Sequence, residues 1–430
     1  MSTDSLISFC AFNLTRFVSP SAELAGLTYD VKALPRGVRL TFGGYNDRLE
    51  EFASYISRKL FRNVKDVLPK DDSDFARYKD QIMRALSAFD VRQPYAHASY
   101  YAQLTLQPRR FQYSNKELRD ATRNLLLPDL LEYAKTLWAT GKGEALIQGN
   151  FDKDEALNIV SKIGDAIPFR PISESEYPPR LEALPLPISN ARTLPTRVLV
   201  TEPNPADENS VSYVMLQSLG ATDKDHVLIE LLSSIVDEPF YNELRTKQQL
   251  GYIVASGAKG IGESRTLSFI VQSSVATADD LTIAILAFLD TIESAILEKL
   301  PKADLAVYVK SLIDRKTEPD KDLIAEVTRN WSEIASGRLQ FNRRQQEAAA
   351  LLEIEKEDLI DFWRRIYAGN GRRVLISNII PRRGVASSAP PPTSTRYIMD
   401  DLTMEGLTLG VDDIEQFRRD REKMASSQIT

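Results

Sequence analysis

Apolar positions along this chain recur with two periods, about four residues and two, and they punctuate it into helices and strands. Tyr29–Val31 and Val38–Phe42, separated by Pro35-Arg36-Gly37, read as a hairpin. From Leu49 to Phe61, the apolar residues Phe52, Ile56 and Leu60 sit four apart, the spacing of a helix with one buried stripe. Helices over Phe75–Phe89 and Lys116–Trp138 and a strand over Glu144–Gln148 follow. Further on, Val198–Thr201 and the alternating Val211–Leu216 predict strands. Thr222, with Asp225 three residues later, caps a helix whose buried face is Val227, Leu228, Leu231, Leu232 and Ile235. A second helix is expected to start at Asp237 as N-cap, with Pro239 in its first turn and Phe240 and Leu244 on its apolar face. Gly251 is expected to end it in the left-handed conformation. A strand from Tyr252 to Val254, a glycine-rich turn over Gly257–Gly262 and a strand over Leu267–Val271 complete this stretch. Helices over Asp280–Ile296, Ala303–Lys316 and Lys356–Tyr367, a strand over Arg373–Ser377 and a charged helix over Asp412–Lys423 close the chain.

The order of these elements repeats. A glycine, two strands and an amphipathic helix occur from Gly26 to Phe61 and again from Gly251 to Ile296. Downstream, the two halves stay in step at an offset of about 229 residues, far longer than the ~20–50-residue period of a solenoid. The pattern predicts two homologous α+β units, each an antiparallel-rich sheet with helices on one face. Seven prolines between Pro168 and Pro195 mark an extended linker, because proline suits neither helix interiors nor central strands. The expected divisions are 1–17, unassigned; 18–170, a first unit; 171–197, the linker; 198–385, a second unit; and 386–430, a Pro/Ser segment with a terminal helix.

Composition narrows the class. The chain has 430 residues, 43% hydrophobic and 27% charged, an ordinary globular balance. A net charge of −6 argues against a general nucleic-acid binder. No run of ~18 apolar residues predicts a spanning helix. The first residues lack the basic and apolar regions of a secretory signal. The C-terminal Ser-Gln-Ile-Thr is not a peroxisomal address. One cysteine, Cys10, forms no internal disulfide and suits a reducing compartment, so the cytoplasm is expected.

Arg245 and Tyr252 are the candidate chemistry. Both flank the predicted helix-to-strand junction, outside its apolar stripe. A guanidinium and a phenol there could donate hydrogen bonds to a peptide carbonyl; on spacing alone, a surface arginine and a half-buried tyrosine fit as well. The run Leu244–Gly257, LRTKQQLGYIVASG, resembles the C-terminal half of M16 metallopeptidases of the insulysin type. AELAGLTYDV, GGYNDRLE and the stretch through Gln93-Pro94-Tyr95 and His97 are similar to that family's third domain. The resemblance spans roughly residues 20–385, and residues 1–17 stand outside it. It implies two M16-type domains, the first of them short of the opening strands of that family's third domain, which would leave an open sheet edge. It also implies that Arg245 and Tyr252 reach across a closed chamber to the substrate backbone near the scissile bond.

M16 catalysis needs zinc held by an HxxEH helix. This chain has two histidines, His97 and His226, in different repeats, so no zinc motif is present. His97 is expected to be structural and His226 to lie on a surface or cap. Neither a G-x-S-x-G elbow nor a Walker A loop occurs, and the glycines of SGAKGIGES do not open a helix. The resemblance therefore implies a half without its own catalytic centre and with no cofactor of its own. Zinc would belong to a complementary N-terminal half bearing HxxEH, and the partners would be that half, peptide substrates or a second copy of this chain. An M16-like scaffold, a peptide-binding protein without peptidase function and a truncated product are the alternatives. Arg315, Lys316 and Lys321 occupy a stretch that binds polyanions in insulysin-like proteins; the interleaved Asp314, Glu318, Asp320 and Asp322 equally fit a solvated helix end.

Overall fold

The protein is described by a computed structural model over residues 20–34, 37–167, 169–177, 180, 182–189, 195–220, 222–369, 371–383 and 408–427. The proline run at 390–392 and part of the first hairpin turn, residues 35 and 36, lie outside these. Two compact units emerge. One comprises residues 1–89, 113–179 and 320–338, the other 90–112, 180–319 and 339–430. These divisions interleave, unlike the contiguous ones drawn from the proline run.

In the first unit, β1 (Thr28–Leu34) pairs antiparallel with β2 (Gly37–Gly43). The helix Asn46–Phe61 buries Phe52, Ile56, Leu60 and Phe61 in a cluster that includes Val31 and Leu130. The ring of Phe61 meets the edge of Trp138 at 4.6 Å. The single helix expected over Lys116–Trp138 is two, Asn115–Asn124 and Leu127–Thr136. Pro128 sits in the first turn of the second, where its missing N–H costs nothing, whereas inside one continuous helix it would remove a donor and clash with the carbonyl of Asn124. The expected strand Glu144–Gln148 joins no ladder. Near it, β3 (Thr140–Gly141) and β4 (Arg170–Pro171) form only a two-residue parallel bridge. A strand is defined by its neighbour, and among the described residues none runs beside 144–148.

The second unit is built on a six-stranded, mixed sheet. Its strands are β5 (Thr196–Thr201), β6 (Ser210–Ser218), β7 (Ile253–Ile261), β8 (Ser264–Ser273), β9 (Val374–Ile380) and β10 (Thr408–Leu409), in the order β10-β5-β9-β6-β8-β7. All nine residues of β6 are buried, as a central strand covered on both faces requires. One face packs on the helices Asp223–Tyr241 and Ala278–Thr291, where Val214, Leu216, Phe269, Ile235, Phe240 and Phe288 share a core. The other face carries the helix Pro94–Leu106, which packs on β6 and β9. This is an addition to the one-sided cover expected. That helix is buried nearly all round, including His97, Ala98, Tyr101, Ala102 and Leu106, so it cannot stand on a surface. The helices Leu323–Ser336 and Arg343–Leu352 were not legible as elements in the sequence. No helix among the described residues is long and apolar enough to cross a membrane.

Candidate functional site

The helix capped by Thr222, whose hydroxyl accepts from the Asp225 amide at 3.1 Å, runs to Tyr241. It does not restart at Asp237. Pro239 lies inside it, although its ring removes one donor, because Ile235, Val236, Phe240 and Leu244 are all buried on one continuous face. A wide π turn, Asn242–Lys247, follows, with the Gln248 amide donating to Glu243 O at 3.0 Å. Leu244 remains buried, and Arg245, the next residue, is turned away from the core.

The chain reverses at Gln249, which takes the left-handed conformation with φ 53°; Gly251 does not. Gly251 is required for a different reason. A Cβ there would lie 1.9 Å from the carbonyl oxygen of Gln272 on β8, so only glycine lets β7 begin against that strand. The carbonyl of Gly251 accepts a 2.8 Å hydrogen bond from Arg245 Nη1. The Arg245 Cζ also lies 5.2 Å from the centroid of the Tyr252 ring, in cation–π contact. Tyr252 is 85% exposed at the entry to β7. Beside them, a hydrogen bond from Lys247 and a second from Gln248 hold the Glu243 carboxyl below its ordinary pKa. The structure thus brings the two singled-out residues together, with the phenol presented to solvent.

The basic cluster is not brought together in the same way. Arg315 is exposed, but the Nζ of Lys316 lies 2.7 Å from Glu230 Oε2 and 2.7 Å from Glu347 Oε2, with the lysine side chain 9% exposed. Lys321 belongs to the first compact unit, whereas Arg315 and Lys316 belong to the second. Burial alone would raise the Glu347 pKa, but Lys316 and Arg343 together hold it below its ordinary value.

His97 is buried with its Nδ1 3.1 Å from Glu202 Oε2, itself buried, a structural pair. His226 is also buried, contrary to the surface or cap position expected, because Arg265 and Glu263 of the β7–β8 hairpin close over it. Its Nε2 faces the Glu263 carbonyl at 3.2 Å and must donate there, so Nδ1 accepts from Arg265 Nη2 at 3.3 Å. Burial and the nearby Arg265 charge lower its pKa below the ordinary 6.5. Asp223, His226 and Glu347 place ligand atoms within 4.8 Å of one another. They do not fit a divalent cation. The Nδ1 lone pair is engaged by Arg265, and the two Glu347 oxygens are engaged by Arg343 and Lys316.

Comparison with known proteins converges on one family. A model of the middle or third domain of M16 peptidases matches residues 3–118, beginning inside the stretch the motifs left unassigned. A model of the PqqF-like C-terminal lobe, domain 4, matches residues 231–331. Human insulin-degrading enzyme is 31% identical over 355 residues, covering 82% of this chain and 34% of the relative. The Drosophila melanogaster insulin-degrading enzyme is 29% identical over 379 residues, 84% of this chain and 36% of the relative. The solved structure of pitrilysin superposes with a TM-score of 0.79 at 16% identity, covering 97% of this chain and 41% of that one, and so shares its fold. The chain spans about a third of the length of the curated relatives it matches. The chain belongs to the M16 peptidase family and is the counterpart of its C-terminal half, the third and fourth domains.

Proposed function

We propose that this chain is the substrate-gripping, non-catalytic half of an insulysin-like M16 endopeptidase, enclosing peptides against an N-terminal half that carries HxxEH and its zinc. The observation that carries this reading is the Arg245–Tyr252 pair, an exposed phenol in cation–π contact with a guanidinium at the head of an edge strand. Arg245 supports the junction and offers its remaining N–H groups to a peptide backbone. Tyr252 donates to the substrate carbonyl oxygen as it becomes anionic. Losing one such donor typically costs about 3 kcal/mol in the barrier. Cytoplasmic residence fits the single cysteine. The test combines the chain with an HxxEH-bearing N-terminal half and compares wild type with Tyr252→Phe. A fall in turnover with peptide affinity retained supports the assignment; equal turnover refutes it.

A further inference from the structure

Among the described residues, β7 ends its sheet, pairing with β8 and with no other strand. Its register identifies which backbone groups face outward. The hairpin closes on the pair Ile261 and Ser264, with Gly262 at φ 60° as the first of two turn residues. A two-residue turn closes on a hydrogen-bonded pair, and such pairs alternate along an antiparallel ladder. Ile253, Ala255, Gly257, Lys259 and Ile261 therefore bond to β8. Two side-chain bonds agree, since Ser268 Oγ reaches Gly257 O at 3.0 Å and Thr266 Oγ1 reaches Lys259 O at 3.3 Å, both from β8. The N–H and C=O groups of Val254, Ser256, Ala258 and Gly260 point away from the sheet. Among the described residues, no strand or side chain hydrogen-bonds to them.

Sheet edges of this length are normally blunted by proline, bulges or several charges. β7 spans nine residues in unbroken register with β8, without proline and with Lys259 as its single charge. Tyr252 immediately precedes its first residue, Ile253, and its side chain is exposed. We propose that the outer edge of β7 binds an extended peptide as an added strand, so that the backbone groups of Val254 to Gly260 hold the chain whose carbonyl Tyr252 addresses. This rests on the reading of Arg245 and Tyr252 as a peptide-backbone site and names its ligand: an unstructured polypeptide segment, recognised through its main chain with little regard to sequence. Continuity with the exposed phenol selects a peptide as the occupant over a second copy of the chain.

The probe is a fluorescein-labelled peptide of alternating valine and threonine, matched in length to β7 and added to the full chain. At saturation, amide-resolved hydrogen–deuterium exchange is expected to slow by at least about tenfold at Val254, Ser256 and Ala258, with the ladder-bonded amides of Ala255 and Gly257 little changed. Ala258→Pro removes one outward donor and is expected to weaken binding by about tenfold. Should that variant fail to fold, the exchange pattern of the wild type decides alone. Failure of the peptide to bind, or binding that leaves these outward amides unprotected, overturns the proposal. So does a concentration-dependent dimer, seen by sedimentation, that protects the same amides without peptide. Loss of the exchange pattern alongside reduced turnover in Tyr252→Phe would refute the edge and keep the site. The reverse combination would refute the site and keep the edge.

Discussion

Lys316→Ala separates two readings of the same residue. If Lys316 served a polyanion, its loss would cost affinity and little stability. Its surroundings argue otherwise. The ammonium lies 2.7 Å from Glu230 and 2.7 Å from Glu347, whose side chains are 29% and 2% exposed. Truncation lets Glu230 turn to water but leaves Glu347 buried. Breaking a buried pair from one side costs about 3–5 kcal/mol. Arg343 still donates to Glu347 at 2.9 Å, which places the loss near the lower figure. In a folded unit of this size, that corresponds to a Tm lower by about 6–12 °C. Exposed Arg315 gives the control, with Arg315→Ala expected within about 0.5 kcal/mol of wild type. The assay is urea unfolding at neutral pH followed by tryptophan fluorescence, with inorganic triphosphate titrated calorimetrically into each variant. The pH limb adds a second reading. Glu347 is held below the ordinary carboxyl range, so its contribution is present above about pH 4.3 and is lost as pH falls through its folded value. Lys316→Ala should flatten that acid loss. A variant as stable as wild type but deficient in triphosphate binding would refute the structural role.

Three further outcomes are expected. Combined with an HxxEH-bearing N-terminal half as proposed, Tyr252→Phe should lower kcat by roughly a hundredfold with KM within about twofold, measured by steady-state cleavage of a fluorogenic peptide. Gly251→Ala should destabilise by at least about 2 kcal/mol by urea unfolding, because its Cβ meets the Gln272 carbonyl at 1.9 Å and neither backbone can yield without parting β7 from β8. His226 has a lowered pKa, so its share of stability is complete above pH 6.5 and declines as pH falls toward the folded value. His226→Asn should abolish that decline, seen as a urea midpoint that no longer drops just below pH 6.5.

What the sequence disclosed and what it hid follow one physical division. Local signals survived intact. Thr222 caps its helix, the four-residue spacing of Phe52, Ile56 and Leu60 marks a buried stripe, and β6 lies where alternation placed it. Arg245 and Tyr252 stood outside the apolar pattern, but spacing alone fitted a surface arginine and a half-buried tyrosine as well, and it was the resemblance of the run around them that singled them out. Long-range facts were hidden. Nothing in Pro94–Leu106 says which sheet it covers, and nothing near Gly251 announces the Gln272 carbonyl that makes glycine necessary. Asp237 and Pro239 looked like a helix start because cap chemistry is local, while the buried face that carries the helix through them is tertiary. Lys316 read as surface for the same reason: its partners, Glu230 and Glu347, sit on two other helices.

The dual engagement of Arg245 determines which substitution can report on catalysis. Its Nη1 donates to the Gly251 carbonyl, so it helps fix the point where β7 leaves the turn. Its guanidinium also meets the ring of Tyr252 and so restrains the phenol. Arg245→Ala would therefore loosen the head of the strand, free the tyrosine and remove the donor to substrate proposed above, and the three losses would be inseparable in a rate. Tyr252→Phe keeps the ring over the guanidinium and deletes only the hydroxyl. Any cost it carries in turnover beyond its cost in peptide affinity belongs to the oxygen atom alone. Arg245→Lys completes the comparison. It keeps the charge but loses the planar fork that can serve Gly251 and a ligand together. A loss larger than that of Tyr252→Phe would then measure how far the grip on peptide depends on the shape of the turn itself.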